Sequence, residues 1–444
     1  MGGQREGTCK QIRELKEKYA ITQMMAKAEF YCSLSQAFNG EATVDEDNFS
    51  DGSEIQILFQ FLKQSLINLK YALEKTDLTT RIKQGVFAPR AYDFDNNFRG
   101  LDQQRTLNYF RFDSMETIET VMRALEVPEE FVTKNRCKFS GIEGFLLLLT
   151  HLARDPTLDS LSGEGFTFGH NSSGCQLLQE VNRWLFLNWS QPLLAMPLEV
   201  WVDEIAFYRR KIRERIEQQR DDHPHDDLGK DTTFYVDGTV FPICRPTQNQ
   251  TLMYNGRKKQ HQVVYVAIVA PDGMCVRFDG SYTGRVHDSN AYGKAGIRHE
   301  MEELNKLYIE KYGEEDSRFV IYGDKAYSRS DTLEKPYYRG NDGNMLPIHV
   351  AHNRVMSTCR VDVERYFGQI KNAFKWGRTK GIKTVQSPYE EGDEKKAFDM
   401  KVWNSVFLQN VMVCLEESGI SKSNNCGSLT LEEYLNKRRE YYDL

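Results

Sequence analysis

From residue 231 onward the chain changes its period, and this change limits the fold more than any other feature. "TTFYVDGTVFPIC", "HQVVYVAIVAP" and "MCVRFDGSYTG" are three runs rich in β-branched and aromatic residues. Turn residues separate them, and "PDG" at 271–273 is the clearest turn. A long helix is predicted from about Asn290 to Tyr312, then a strand in "RFVIYGD", another strand in "MLPIHVA", and a helix through "CRVDVERYFGQIKNAFKW". Three strands, helix, strand, helix is the order of a mixed α/β layer. A ribonuclease-H-like core is one fold of that class, and pattern alone leaves others open.

Acids punctuate these elements. In "FYVDGT" three strand-forming residues run into Asp237, and Gly238-Thr239 then predicts a turn or an opening. "FVIYGDKAYS" repeats the pattern, with Phe319 to Tyr322 leading through Gly323 to Asp324. A single acid there is an ordinary solvated strand end. Two suggest that carboxylates from neighbouring strand ends converge, and a hard cation would hold them together.

In the last helix, period 3.6 groups Val361, Phe367, Ile370 and Phe374 near one buried stripe. Glu364 lies one turn below Phe367 and Gly368, so it shares or borders that face. An acid there needs a partner. Arg360 at i−4 offers an ion pair, and Gly368 at i+4 offers an opening.

Size and composition exclude several classes. At 444 residues with 40% hydrophobic content, the chain predicts two or three folded units. No uninterrupted apolar run approaches the roughly 20 residues of a membrane span. The start "MGGQREGTCKQIREL" lacks an apolar signal region, and Glu6 occupies the Ser/Thr position of a myristoylation motif, so secretion and acylation are not expected. Nine cysteines contain no CxxC pair, which predicts reduced thiols and argues against a zinc finger. The net charge of −6 argues against a uniformly basic nucleic-acid binder, yet Arg354 to Lys383 carries eight bases against two acids. That excess either meets phosphates or solvates a helix face.

The remaining chain divides by composition. Residues 1–104 form an N-terminal helical and polar region with no recognisable chemistry. Residues 105–220 are mostly α-helical: "DSMETIETVMRALEV" has helical spacing, "SGIEGFLLLLTHLA" opens on the capping pair Ser140 and Glu143, and "NSSGCQLLQEVNRWLFLNW" is amphipathic. Two of these helices around a loop suggest a helix-turn-helix-like, DNA-binding segment. Residues 221–230 read as a linker, where His223, His225, Asp226 and Asp227 beside Pro224 are expected to stay solvated rather than hold a metal. Residues 231–415 form the α/β unit, and 416–444 a tail with a short helix.

Residues 231–415 also resemble the DDE endonuclease domain of PIF/Harbinger-type transposases and their domesticated relatives. The resemblance rests on "VDGT" (236–239), "GRVHDSNAY" (284–292), "YGDKAYS" (322–328) and "HNRVMSTCRVDVERYFGQIKNAF" (352–374). Asn353, Ser357, Arg360, Glu364, Phe367, Gly368 and Lys371 follow the family's order. The family's second-acid motif reads closer to "DSGYP"; Lys325, Ala326 and Ser328 depart from it, while Asp324 and Tyr327 are retained.

The resemblance implies a ribonuclease-H-like DDE core with Asp237, Asp324 and Glu364 as catalytic acids, and Asp288 as a further acid that assists or caps the following helix. It implies two Mg2+ or Mn2+ ions clamping an in-line displacement at phosphorus. Arg360, Arg365, Lys371 and Lys375, expected on the helix of Glu364, would hold the DNA backbone. It further implies transposon ends and target DNA as partners, a Myb-like accessory DNA-binding protein, a homo-oligomer, and action in the nucleus. Two other readings compete: a domesticated DNA- or protein-binding factor without nuclease turnover, and a metal-free two-carboxylate glycosidase, against which three acids in this setting argue.

Overall fold

The computed structural model describes residues 98, 100–163, 165–166, 168, 171–218, 229–246, 250–313, 317–340, 344–377 and 393–442. The expectations for residues 1–97, for the linker residues His223 to Asp227, and for Arg378, Lys380 and Lys383 lie outside these residues.

The chain separates into two units, Met1–Ala91 with Glu130–Ser140, and Tyr92–Glu129 with Gly141–Leu444. The described part of the first is an antiparallel hairpin, β1 (Glu130–Val132) and β2 (Lys138–Ser140), with Phe131 in register with Phe139.

The second unit opens with helices. α1 (Gln103–Phe110) starts where the Asp102 carboxylate accepts from the Arg105 N–H at 2.8 Å, and α2 (Met115–Ala124) where the Ser114 hydroxyl accepts from the Thr117 N–H at 3.1 Å. α3 (Gly141–Arg154) is buried nearly all round, as "FLLLL" requires, and packs against α1 and α5 (Asn171–Leu185); α4 (Leu158–Gly163) lies between α3 and α5 in sequence. α6 (Ile205–Gln218) then leads to the sheet and packs on its first strand.

The sheet consists of β3 (Thr232–Pro242), β4 (Tyr254–Asn255), β5 (Gln260–Val269), β6 (Cys275–Thr283), β7 (Val320–Tyr322) and β8 (Leu333–Glu334). β6, β5 and β3 are antiparallel neighbours, β3, β7 and β8 are parallel ones, and β4 pairs with the start of β5. The run Val263 to Ala270 is wholly buried, which a sheet covered on both faces demands of its inner strands. β6 is shielded by α10 (Asp393–Leu415): Asn410 accepts from the Cys275 N–H at 2.9 Å and donates to its carbonyl at 2.8 Å. Two helices follow, α11 (Gly419–Asn424) and α12 (Leu431–Tyr442). No helix among the described residues is long and apolar enough to cross a membrane.

Several expectations are corrected. The long helix after β6 is two, α7 (Asp288–Lys294) and α8 (Ile297–Tyr312), because Gly296 adopts φ 72° between them. "MLPIHVA" is not a strand: Pro347 occupies the first turn of α9 (Pro347–Ala373), where its missing N–H costs no hydrogen bond. The buried stripe of α9 runs through Val355, Cys359, Val363, Phe367 and Ile370, while Val361 is only half-buried, about half a turn from the stripe's centre. β3 does not end at Asp237 either. It continues through Gly238 and Thr239 because β5 pairs with it as far as Pro242.

Candidate active site

Strand register brings the first two acids to one level. Tyr235 of β3 is the parallel partner of Tyr322 of β7, and Asp237 and Asp324 each lie two residues further on. There β3 stays in the sheet, with Asp237 opposite Ala267, while β7 gives way to a loop. The Asp324 carboxylate fixes the start of that loop by accepting from the Ala326 N–H at 2.7 Å.

Asp288 reaches the same place from α7. It is the first residue of that helix and not its cap, which is His287. Its carboxylate fills the space left by Gly238: a Cβ on that glycine would lie 2.1 Å from Asp288 Oδ1. Glu364 comes from α9 with a half-exposed side chain. It does not stand apart, because Arg360 hydrogen-bonds to its Oε1 and also lies 3.5 Å from Asp237 Oδ2. One guanidinium thus joins the strand acid to the helix acid.

The electrostatics record the crowding. The Asp237 carboxyl is pushed up to about 6, chiefly by burial; Arg360 and the Gly238 N–H oppose the rise, and Asp288 and Asp324 add to it. Asp288 is raised by burial and then by Asp324. Tyr327, retained beside Asp324 in sequence, is raised well above the usual phenol range by burial, with Asp237, Asp288 and Asp324 contributing. Its hydroxyl is buried and has no hydrogen-bond partner among the described residues.

The donor chemistry suits a hard divalent cation. Carboxylate oxygens predominate, their mutual repulsion is only partly offset by Arg360, and the buried Tyr327 hydroxyl is left unsatisfied. Among the described residues, no three His, Cys, Asp or Glu side chains stand in ligating geometry, and Arg360 engages both Asp237 and Glu364.

The four expected phosphate contacts do not share one helix surface. Arg365 is half exposed and lies 3.5 Å from the buried Asp362. Lys371 lies over the Phe241 ring at 5.5 Å, its pKa lowered by burial and by Lys258, against the pull of Asp237. Lys375 is exposed but stands beyond the end of α9, in the turn Lys375–Gly377. Sequence reasoning missed a second basic group. Arg257, Lys258 and Lys259 are exposed in the turn between β4 and β5, and Arg257 and Lys258 act electrostatically on Asp288. Three consecutive cations between strand-like runs were the available signal.

This cluster of acids falls within a recognisable stretch of chain: residues 236–388 match the family model described as DDE superfamily endonuclease. The match supports a DDE transposase-like domain over this segment. No curated protein and no solved structure gives a significant match. The DDE domain match opens one residue before Asp237 and spans Asp288, Asp324 and Glu364. Its mixed sheet and surrounding helices fit an α/β domain of the DDE type.

Proposed function

We propose that this chain is a metal-dependent DNA endonuclease and strand transferase of the PIF/Harbinger type, cutting phosphodiester bonds by two-metal in-line attack. The observation that carries this reading is the meeting of Asp237, Asp288 and Asp324 at one half-buried locus, tied to Glu364 through Arg360. The strand order β6–β5–β3–β7–β8, three antiparallel then two parallel, supports a ribonuclease-H-like core. The four motifs that resemble PIF/Harbinger transposases support the subtype.

Asp237, Asp324 and Glu364, with Asp288 beside them, would hold two Mg2+ or Mn2+ ions. Such ions, when bound, neutralise the carboxylates and polarise both the attacking hydroxyl and the leaving oxygen. Arg360, once replaced as the counter-charge of Asp237 and Glu364, is placed to hold a phosphate oxygen. Lys258 and Lys371 flank the acids and supply positive charge to the strand being cut. The buried Tyr327 hydroxyl is a donor beside the acids with its hydrogen bond still to make. The parallel pairing of Tyr235 with Tyr322 holds Asp237 on its strand and Asp324 in the loop just after β7 at one level.

The same reading assigns α3 to α5 a helix-turn-helix-like role on DNA, and transposon ends and target DNA as partners. A Myb-like accessory protein, a homo-oligomer and the nucleus extend it by resemblance. The test is cleavage of element-end DNA by wild type, Asp237→Asn, Asp324→Asn and Glu364→Gln, each with Mg2+ and with EDTA. Cleavage by wild type in Mg2+ alone supports the proposal. Cleavage that persists in EDTA, or in all three variants, removes it.

A further inference from the structure

We infer that the loop after Asp324 carries a stacking platform for an unpaired DNA base, with Tyr338 as its surface. This rests on the DNA-cutting reading above and assigns that site a preference for locally unpaired strands.

Tyr338 is 59% exposed, more so than the other exposed rings Tyr254, Tyr312 and Tyr441. It is nevertheless fixed at both ends. Its hydroxyl donates to the Lys325 carbonyl, immediately after Asp324, and the Lys335 ammonium lies 5.1 Å from its ring centroid. Lys335 is held in turn by donating to the Tyr327 carbonyl at 2.7 Å. Among the described residues, no other ring packs on Tyr338. An exposed aromatic face is thus anchored one residue from an acid of the site.

The neighbouring ring shows the same chemistry already completed. Tyr337 is stacked on His349 with centroids 3.8 Å apart and planes 4° from parallel, and the Arg329 guanidinium lies 4.2 Å from its ring centroid. Asn353 pins the Tyr337 backbone by accepting from its N–H at 2.8 Å and donating to its carbonyl at 2.9 Å. A flat partner on one ring and none on the next leaves Tyr338 as the open position of the pair.

Charge selects the occupant. Between 325 and 339 the chain has four cations (Lys325, Arg329, Lys335, Arg339) against Asp331 and Glu334. Aromatic faces interleaved with cations suit a single-stranded nucleic acid, whose bases stack while its phosphates meet the positive groups. A base leaving the duplex would lie on Tyr338 while its phosphodiester approached Asp324. Opening the helix there would give the carboxylates room to reach the bond.

The experiment measures binding without cleavage, in EDTA. Single-stranded and fully paired oligonucleotides carrying 2-aminopurine are titrated with wild type, Tyr338→Phe and Tyr338→Ala. Wild type and Tyr338→Phe should quench the fluorescence of the single strand. Tyr338→Ala should lose that quenching and bind the single strand about tenfold more weakly, with duplex affinity and melting temperature unchanged. Equal weakening for both DNAs, or quenching that survives in Tyr338→Ala, overturns the platform and leaves the nuclease reading standing. If Tyr338 instead meets a protein, the alanine variant changes neither DNA affinity nor quenching, which also overturns it. If wild type binds neither DNA, the platform and the DNA reading fall together.

Discussion

Gly238 and Asp288 occupy one space: the glycine has no Cβ, and the Asp288 carboxylate from α7 lies where that atom would be, 2.1 Å from the ideal position. A strand residue and a helix residue 50 positions apart therefore set the spacing of the acids. Gly238→Ala should displace the Asp288 side chain, whose far end can swing away, at a cost of about 1 kcal/mol of stability. Metal-dependent cleavage should fall at least about tenfold, roughly 1.4 kcal/mol in the barrier, if Asp288 serves the metals. A thermal melt alongside a cleavage assay checks this. A variant as active as wild type would remove Asp288 from the site.

Arg360 sits between Asp237 and Glu364 as their shared counter-charge. Arg360→Gln should lower the melting temperature in EDTA, because two carboxylates then face each other without it. Mg2+ should raise the melting temperature of the variant more than that of wild type, with binding about fivefold tighter, or ~1 kcal/mol. Calorimetric titration of Mg2+ into both proteins measures the difference, and weaker binding by the variant would contradict it.

The Asp237 carboxyl has a folded-state pKa of about 6, against 3.8 as its ordinary value. Its raised pKa favours the folded state while the group is protonated, and this contribution is lost as pH rises through about 6. Asp237→Asn cannot ionise and escapes the loss. In EDTA the variant should therefore gain on wild type by roughly 2–3 kcal/mol between pH 4 and pH 8. Denaturant melts at the two pH values test the sign. A gain in the opposite direction would show the ionised carboxylate to be stabilised by its surroundings.

Asp362, fully buried on α9, pairs with Arg215 of α6, and Asn424 of α11 hydrogen-bonds to both. Asp362→Ala leaves a buried guanidinium without its partner and should cost about 3–5 kcal/mol. Replacing the pair together, Arg215→Met with Asp362→Leu, should recover most of it. Urea melts of the single and double variants decide whether the pair stabilises the helix or merely occupies it.

The turn at Arg257 to Lys259 is expected to contact phosphates. Replacing all three with Gln should weaken DNA binding to a similar degree on every sequence. It should also flatten the log–log salt dependence by nearly one unit for each phosphate that is no longer neutralised. Arg365→Gln, whose side chain already neighbours Asp362, should change the slope less. Affinity measured at several salt concentrations compares them, and an unchanged slope in the triple variant would place the DNA elsewhere.

Local pattern made much of the sheet legible. β3 and β6 fall within two of the three β-branched and aromatic runs, β5 starts one residue before the third, and β7 lies within "RFVIYGD", because strand propensity and turn residues act over a few neighbours. The same short range misled at "MLPIHVA". Its apolar residues suit a strand, yet Leu346 and Val350 are exposed, and Pro347 opens a helix whose buried stripe begins downstream. The long helix after β6 looked continuous because Gly296 gives no sign in sequence of the left-handed turn it makes.

By itself the sequence determined the runs that became β3, β5, β6 and β7, the acids in or just after two of them, and that Glu364 has Arg360 one turn away. Tertiary structure alone decided that Tyr235 and Tyr322 are partners, which brings Asp237 and Asp324 level, and that Asp288 fills the gap at Gly238. It also turned an expected pair, Arg360 with Glu364, into a bridge that includes Asp237. The division has a physical basis. Helical spacing and strand propensity are fixed by bonds and sterics within a few residues, whereas a contact across 50 or more positions exists only after sheet pairing and helix packing have closed the chain between them.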